Sequence, residues 1–179
     1  MRNLIIMVIV QVMVYFNYLL LYYLTVLFEQ VYVIGLCSAI SEMLAYVISG
    51  ALFEKLGIHK AYLISLSVSL LGGFIVITYG LEHQGGFLFP IIFLLTRFGT
   101  TSAFSMIVIG NSSVFDVKSA AKALSIPMCI ARAAMGISPL ISAIEQPWPM
   151  YIFCATTTVA AISSQFILLP TQQMTKGND

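Results

Sequence analysis

The sequence predicts an all-α membrane protein, a bundle of six transmembrane helices forming a single domain over residues 1–179. Three observations carry that reading. Of 179 residues, 60% are hydrophobic and 8% are charged, against roughly a quarter charged in an ordinary soluble domain. So little polar surface cannot cover a soluble fold. Apolar runs of about 20 residues, the length with which an α-helix crosses about 30 Å of hydrocarbon, recur along the whole chain. Charges, amides, Gly and Pro interrupt them at intervals, which places the spans near 4–26, 32–53, 61–80, 87–110, 122–144 and 149–169.

The apolar stretch of the first span is far longer than the ~7–15 residues of a signal-peptide core, and no small-residue cleavage site follows it. It is expected to remain as a span. Gln11, Tyr15, Tyr18 and Tyr22 recur on it at spacings of four, three and four, so their amide and hydroxyl tips share one face. That face either meets a ligand or packs tyrosine rings against a neighbouring helix. Asn17 lies off the stripe, in a position to bond a neighbouring helix.

The second span carries Glu42 and runs into a connection rich in charge. On the third, Ala61, Ser65, Ser69 and Gly73 recur every fourth residue. This ridge of small side chains lets another helix approach closely. The fourth span holds Arg97 and the fifth Arg132. Pro127 and Pro139 bracket Arg132, and prolines in a membrane helix free backbone groups and permit bending. The sixth span carries no charge.

Because spans alternate direction, Arg2, Lys55, Lys60, Lys118, Lys122 and Lys176 fall on one side of the membrane. The opposite connections hold Glu29, Glu82 and Glu145 and no Lys or Arg. The basic side is then cytoplasmic, with both termini on it.

The composition also excludes. A net charge of +1 without clustered Lys and Arg gives no purchase on nucleic acid. Cys37, Cys129 and Cys154 lie in apolar runs without short spacings, which makes them packing residues and predicts neither metal site nor disulfide. Catalysis is not expected: His59 and His83 fall in connections on opposite sides, Asp116 and Asp179 fall outside the spans, and no metalloprotease or nucleophile-elbow motif occurs. No cofactor is expected. A voltage sensor would need several arginines on one helix, and no span has more than one.

Glu42, Arg97 and Arg132 each stand ten residues into their spans, at about the same depth given about 1.5 Å of rise per residue. A charge at a helix centre costs roughly 2.5–3.5 kcal/mol to insert, so all three should face the bundle interior. Glu42 can neutralise either arginine, and one cation is left over. The expected roles are a structural pair for Glu42 and Arg97, and a substrate-facing charge for Arg132.

The connection "GALFEKLGIHK" resembles the cytoplasmic loop motif of the major facilitator superfamily, with Gly50, Glu54, Lys55, Gly57, His59 and Lys60 in the pattern. Here Gly50 is expected to permit close helix approach, Glu54 to pair across the loop, and Gly57 to allow a tight turn. The resemblance narrows to the organic cation and anion transporter group. "SEMLAYVISGALFEKLG" is similar to that group's eighth helix, through Glu42, Ala45 and Tyr46. "TRFGTTSAF" is similar to its tenth, through Arg97, Phe98, Gly99, Ala103 and Phe104. "ARAAMGISP" is similar to its eleventh, through Arg132, Ile137 and Pro139.

After the tenth helix this sequence has Ser113, Phe115, Asp116, Val117 and Ala120 where the group carries acidic and basic partners. Asp116 with Lys118 or Lys122 is the available substitute.

The resemblance implies the carboxy-terminal six-helix half of a major facilitator fold, with the amino-terminal half absent. In that superfamily the substrate path lies between two six-helix domains. The implied activity is secondary-active movement of a small organic ion by alternating access. An anion is preferred, because anion carriers of the group tend to have arginine where Arg132 stands. Arg132, Gln11, Tyr15, Tyr18 and Tyr22 are the substrate-binding candidates. The expected partners are the lipid bilayer, the organic ion, and a complementary six-helix domain or a second copy of the chain. Two alternatives stand beside this: a non-transporting remnant or membrane assembly subunit, and a sugar carrier of the same superfamily.

Overall fold

The computed structural model describes residues 2–27, 31–80, 88–114 and 117–166, and every regular element among them is helical. Glu29, Glu82, His83, Phe115, Asp116, Lys176 and Asp179 lie outside the described residues. The elements are α1 (Arg2–Leu27), α2 (Val31–Ile75) running into a π-helical turn (Val76–Gly80), α3 (Leu88–Val114), α4 (Val117–Met135), the short α5 (Ser138–Ser142) and α6 (Trp148–Gln165). Four stretches are long and apolar enough to cross a membrane: Leu4–Val26, Tyr32–Tyr79, Phe89–Gly110 and Leu124–Ser142. The molecule is an all-α protein of membrane type.

The second stretch is 48 residues long, about 72 Å at 1.5 Å per residue, more than twice the thickness of a hydrocarbon core. It is not straight. Gly57 has φ 74° and ψ 171°, a conformation open to glycine and strained for other residues. Contacts with α3 give the directions on either side. Before Gly57, Ser41 Oγ donates to Leu94 O (3.0 Å) and Ser49 Oγ meets Ser105 Oγ (2.6 Å), so residue numbers rise together. After it, Ser65 Oγ meets Ser102 Oγ (2.9 Å) and Ser69 Oγ meets Thr100 Oγ1 (2.7 Å), so they run oppositely. The chain therefore reverses at Gly57, and α2 is a hairpin of two antiparallel arms. The connection over 54–60 is helical up to the corner and beyond it, where the sequence pattern predicts a loop between spans.

The small-residue ridge explains how tightly the second arm sits on α3. Ala61, Ser65, Ser69 and Gly73 are all buried, and a Cβ on Gly99 of α3 would lie 2.6 Å from the Ser65 carbonyl oxygen. The serine hydroxyls hold the contact by bonding side chains of α3, as polar groups do between membrane helices. Gly73 itself packs against Phe153 and Cys154 of α6. Gly50, expected to permit close approach, does not: a Cβ there would meet nothing within 4 Å.

Span five, expected as one helix over 122–144, is broken. α4 ends at Met135, and Gly136 and Ile137 donate to Ala133 O and Ala134 O before α5 begins. The cause is local. Pro139 has no N–H and its ring crowds the carbonyl four residues back, that of Met135, while Gly136 contributes little to helix stability. Pro127 is tolerated inside α4.

Two apolar clusters fill the bundle. One joins α1, the second arm, α3, α4 and α6 through Met7, Tyr15, Tyr62, Met106, Ala131 and Ala160. The other joins α1, the first arm, α3 and α6 through Leu20, Leu24, Ile34, Phe89, Phe93 and Phe153. Between them Asn17 clamps α1 to α6: its Nδ2 donates to Thr157 Oγ1 (2.9 Å), and its Oδ1 accepts from Thr156 Oγ1 (2.6 Å).

Candidate functional site

The polar centre of the bundle lies where α1, the first arm of α2 and α3 meet. Ser38 and Glu42 are four residues apart, so they share a face of the first arm. Arg97 of α3 reaches between them. Its Nε donates to Ser38 Oγ (2.8 Å), its Nη1 to the Tyr18 carbonyl (3.3 Å), and its Nη2 to Glu42 Oε1 in an ion pair. The Tyr18 hydroxyl donates to Glu42 Oε2 (3.4 Å), and the Tyr18 ring lies 5.2 Å from the guanidinium carbon, within cation–π range.

Arg97 is only 3% exposed, whereas the Glu42 side chain is 23% exposed. The partly open carboxylate faces a cavity of about 160 Å³ bounded by Tyr22, Thr25, Gly35, Ser38, Ala39 and the ion pair. Two separate requirements are met here. A buried guanidinium is tolerable only when paired and hydrogen-bonded, and a helix junction in lipid gains from polar bonds between its members.

The stripe on α1 divides between two surroundings. Gln11 (1% exposed) and Tyr15 (3%) are packed inside, with the Tyr15 ring 4.5 Å from that of Phe104. Tyr18 is half-buried against Arg97, and Tyr22 (54%) is exposed at the cavity. In this conformation the four do not line one continuous path.

Arg132 stands apart from Glu42 and Arg97. It is exposed, in the last turn of α4, and the ion pair recorded among the described residues leaves it out. The break after Met135 puts it beside the carbonyl end of α4, where a cation is favoured by about 0.3–1 kcal/mol at exposed sites.

Of the loop-motif residues, Gly57 makes the corner, Glu54, Lys55 and Lys60 are exposed, and Gly50 and His59 are half-buried. His59 Nδ1 lies 3.3 Å from the Ser164 carbonyl oxygen of α6. Cys37, Cys129 and Cys154 are free thiols. Among the described residues no group of His, Cys, Asp and Glu is arranged to hold a metal ion.

Sequence reasoning missed Ser38. Its signal was present in the spacing, one helical turn before Glu42, but a serine in an apolar span has too many packing roles to be singled out. No protein-family model matches the chain, and no curated protein matches it.

Proposed function

We propose that the chain is one six-helix half of a secondary-active transporter of the major facilitator type, moving a small organic anion by alternating access against a complementary six-helix domain. The observation that carries this reading is the contrast between the two arginines. Arg97 is buried and matched by Glu42. Arg132 is exposed at membrane depth with no acidic partner among the described residues. A cation there costs free energy in lipid, and a water-lined path admitting an anion removes that cost. Two further features support the reading: the hairpin corner at Gly57 in the loop that resembles the superfamily motif, and the helix break beside Arg132, since interrupted helices border substrate sites in many transporters. The basic corner with Lys55 and Lys60 is taken as cytoplasmic, and Trp148 with Tyr151 as anchored at the opposite interface.

The rival reading, a membrane assembly subunit without transport, draws on the Glu42–Arg97 pair, which holds helices together without any ligand. Crosslinking in native membranes, followed by uptake in vesicles holding the chain and its captured partner, separates them. Transport predicts accumulation of small organic anions over matched cations and neutral sugars. An assembly subunit predicts a stable complex with no uptake of any of the three.

A further inference from the structure

Arg97 and Glu42 are held unequally. The guanidinium has two anchors besides the carboxylate, since Nε donates to Ser38 Oγ (2.8 Å) and Nη1 to the Tyr18 carbonyl (3.3 Å). Glu42 has Arg97 and one long hydrogen bond from the Tyr18 hydroxyl (3.4 Å). Exposure differs in the same sense, 4% for the arginine side chain and 23% for the glutamate. Both border the cavity of about 160 Å³, and its wall is open at Gly35, where a Cβ would meet nothing within 4 Å. At about 30 Å³ per water, that volume takes several waters or one small carboxylate. The arginine is fixed without its partner, and the partner has room to leave.

We propose that Arg97 is a further anion site, distinct from Arg132, which a small carboxylate occupies in place of Glu42. Two carboxylates in one cavity disfavour each other's charge, and a buried guanidinium requires one counter-charge. The exchange is balanced when Glu42 takes up a proton: its ion pair with Arg97 opens, the ligand's ion pair with Arg97 forms, and the net charge of the site is unchanged. The groups facing Glu42 are Arg97 from α3, Tyr18 and Tyr22 from α1, and Tyr46 one turn further along its own arm. Tyrosine ordinarily titrates at about pH 10, which leaves the carboxylate to accept the proton. The inference rests on the pair and its cavity and is independent of any transport role for Arg132.

Thermal unfolding of the full chain in detergent, titrated with sodium formate at a series of pH values, tests this. Formate should stabilise the unaltered protein, and its apparent affinity should rise as the pH falls, by up to about tenfold per pH unit for one proton taken up. Glu42→Gln, which cannot take up that proton, should bind formate without pH dependence and recover much of its lost stability in it. Glu42→Gln combined with Arg97→Met should not respond. Formate stabilisation of the unaltered protein that is absent, or that does not vary with pH, overturns the proposal. So does a response that survives in the double variant or disappears in Arg132→Asp, since either result assigns the anion to another site.

Discussion

Arg97 and Glu42, 55 positions apart in the chain, meet as an ion pair that ties α3 to the first arm of α2, and Tyr18 closes it from α1 by donating to the carboxylate and accepting from the guanidinium. Three helices are thus joined at one buried point. The arrangement is sensitive to loss of one member and tolerant of losing both charges together.

Arg97→Ala should therefore destabilise the bundle, by less than the about 3–5 kcal/mol of a fully buried pair because the Glu42 carboxylate left behind is partly open, and reduce yield in the membrane fraction. Glu42→Gln should act in the same direction. The double replacement Glu42→Gln with Arg97→Met should recover a substantial part of that loss. Denaturation of the four proteins in one detergent measures the coupling; strictly additive losses would mean that the pair is not an energetic unit.

The glycines make a second contrast. Gly99→Ala forces its methyl group onto the Ser65 and Ser69 backbone, where nothing can swing aside, and should cost about 1–3 kcal/mol as overpacking does. Gly50→Ala meets open space and should lie within about 0.5 kcal/mol of the parent. Thermal unfolding of both variants checks the contrast, and equal losses would place the close helix approach elsewhere.

Asn17 offers a test of the α1–α6 clamp. Replacing it with Leu removes both hydrogen bonds to Thr156 and Thr157 and should cost on the order of 0.6–2 kcal/mol, the range for interhelical bonds in membranes. Thr157→Val should lose less, since the Thr156 bond survives. A Thr157→Val loss larger than that of Asn17→Leu would point to packing at Thr157 instead.

Much of this architecture was legible in the residues, and the exceptions have physical reasons. Composition and the length of the apolar runs led to membrane helices because both report on solvent, which acts on every residue alike. The ridge of Ala61, Ser65, Ser69 and Gly73 was readable because close approach demands small side chains at one spacing. The break at Gly136 was harder. Pro127 and Pro139 look equivalent in sequence, yet α4 passes through one and stops before the other, and the glycine three residues ahead of Pro139 makes the difference. Gln11 was legible as polar and in register with the tyrosines. Its burial was not, because a periodicity gives a shared face and leaves open what that face meets. Gly50 failed for the same reason: glycine permits close approach without requiring it.

The side of the membrane occupied by the hairpin corner is open to direct labelling. Cysteines placed at Lys55 and Lys60 should react with an impermeant reagent from one side, and a cysteine at Trp148 from the other, because His59 sits beside Ser164 at the far end of α6 from Trp148. Labelling of all three from a single side would contradict the placement of the two ends of α6 on opposite faces of the membrane.

Anion uptake by the Arg132→Asp variant, reconstituted together with the complementary domain, bears most directly on Arg132 as the substrate contact. The buried pair is untouched by this change, so the bundle should remain folded at normal yield. Uptake of organic anions should fall to background, with Arg132→Lys intermediate, because lysine keeps the charge and loses the planar donor fork. Normal anion uptake by Arg132→Asp would contradict the assignment and leave that arginine as a surface charge at the end of α4.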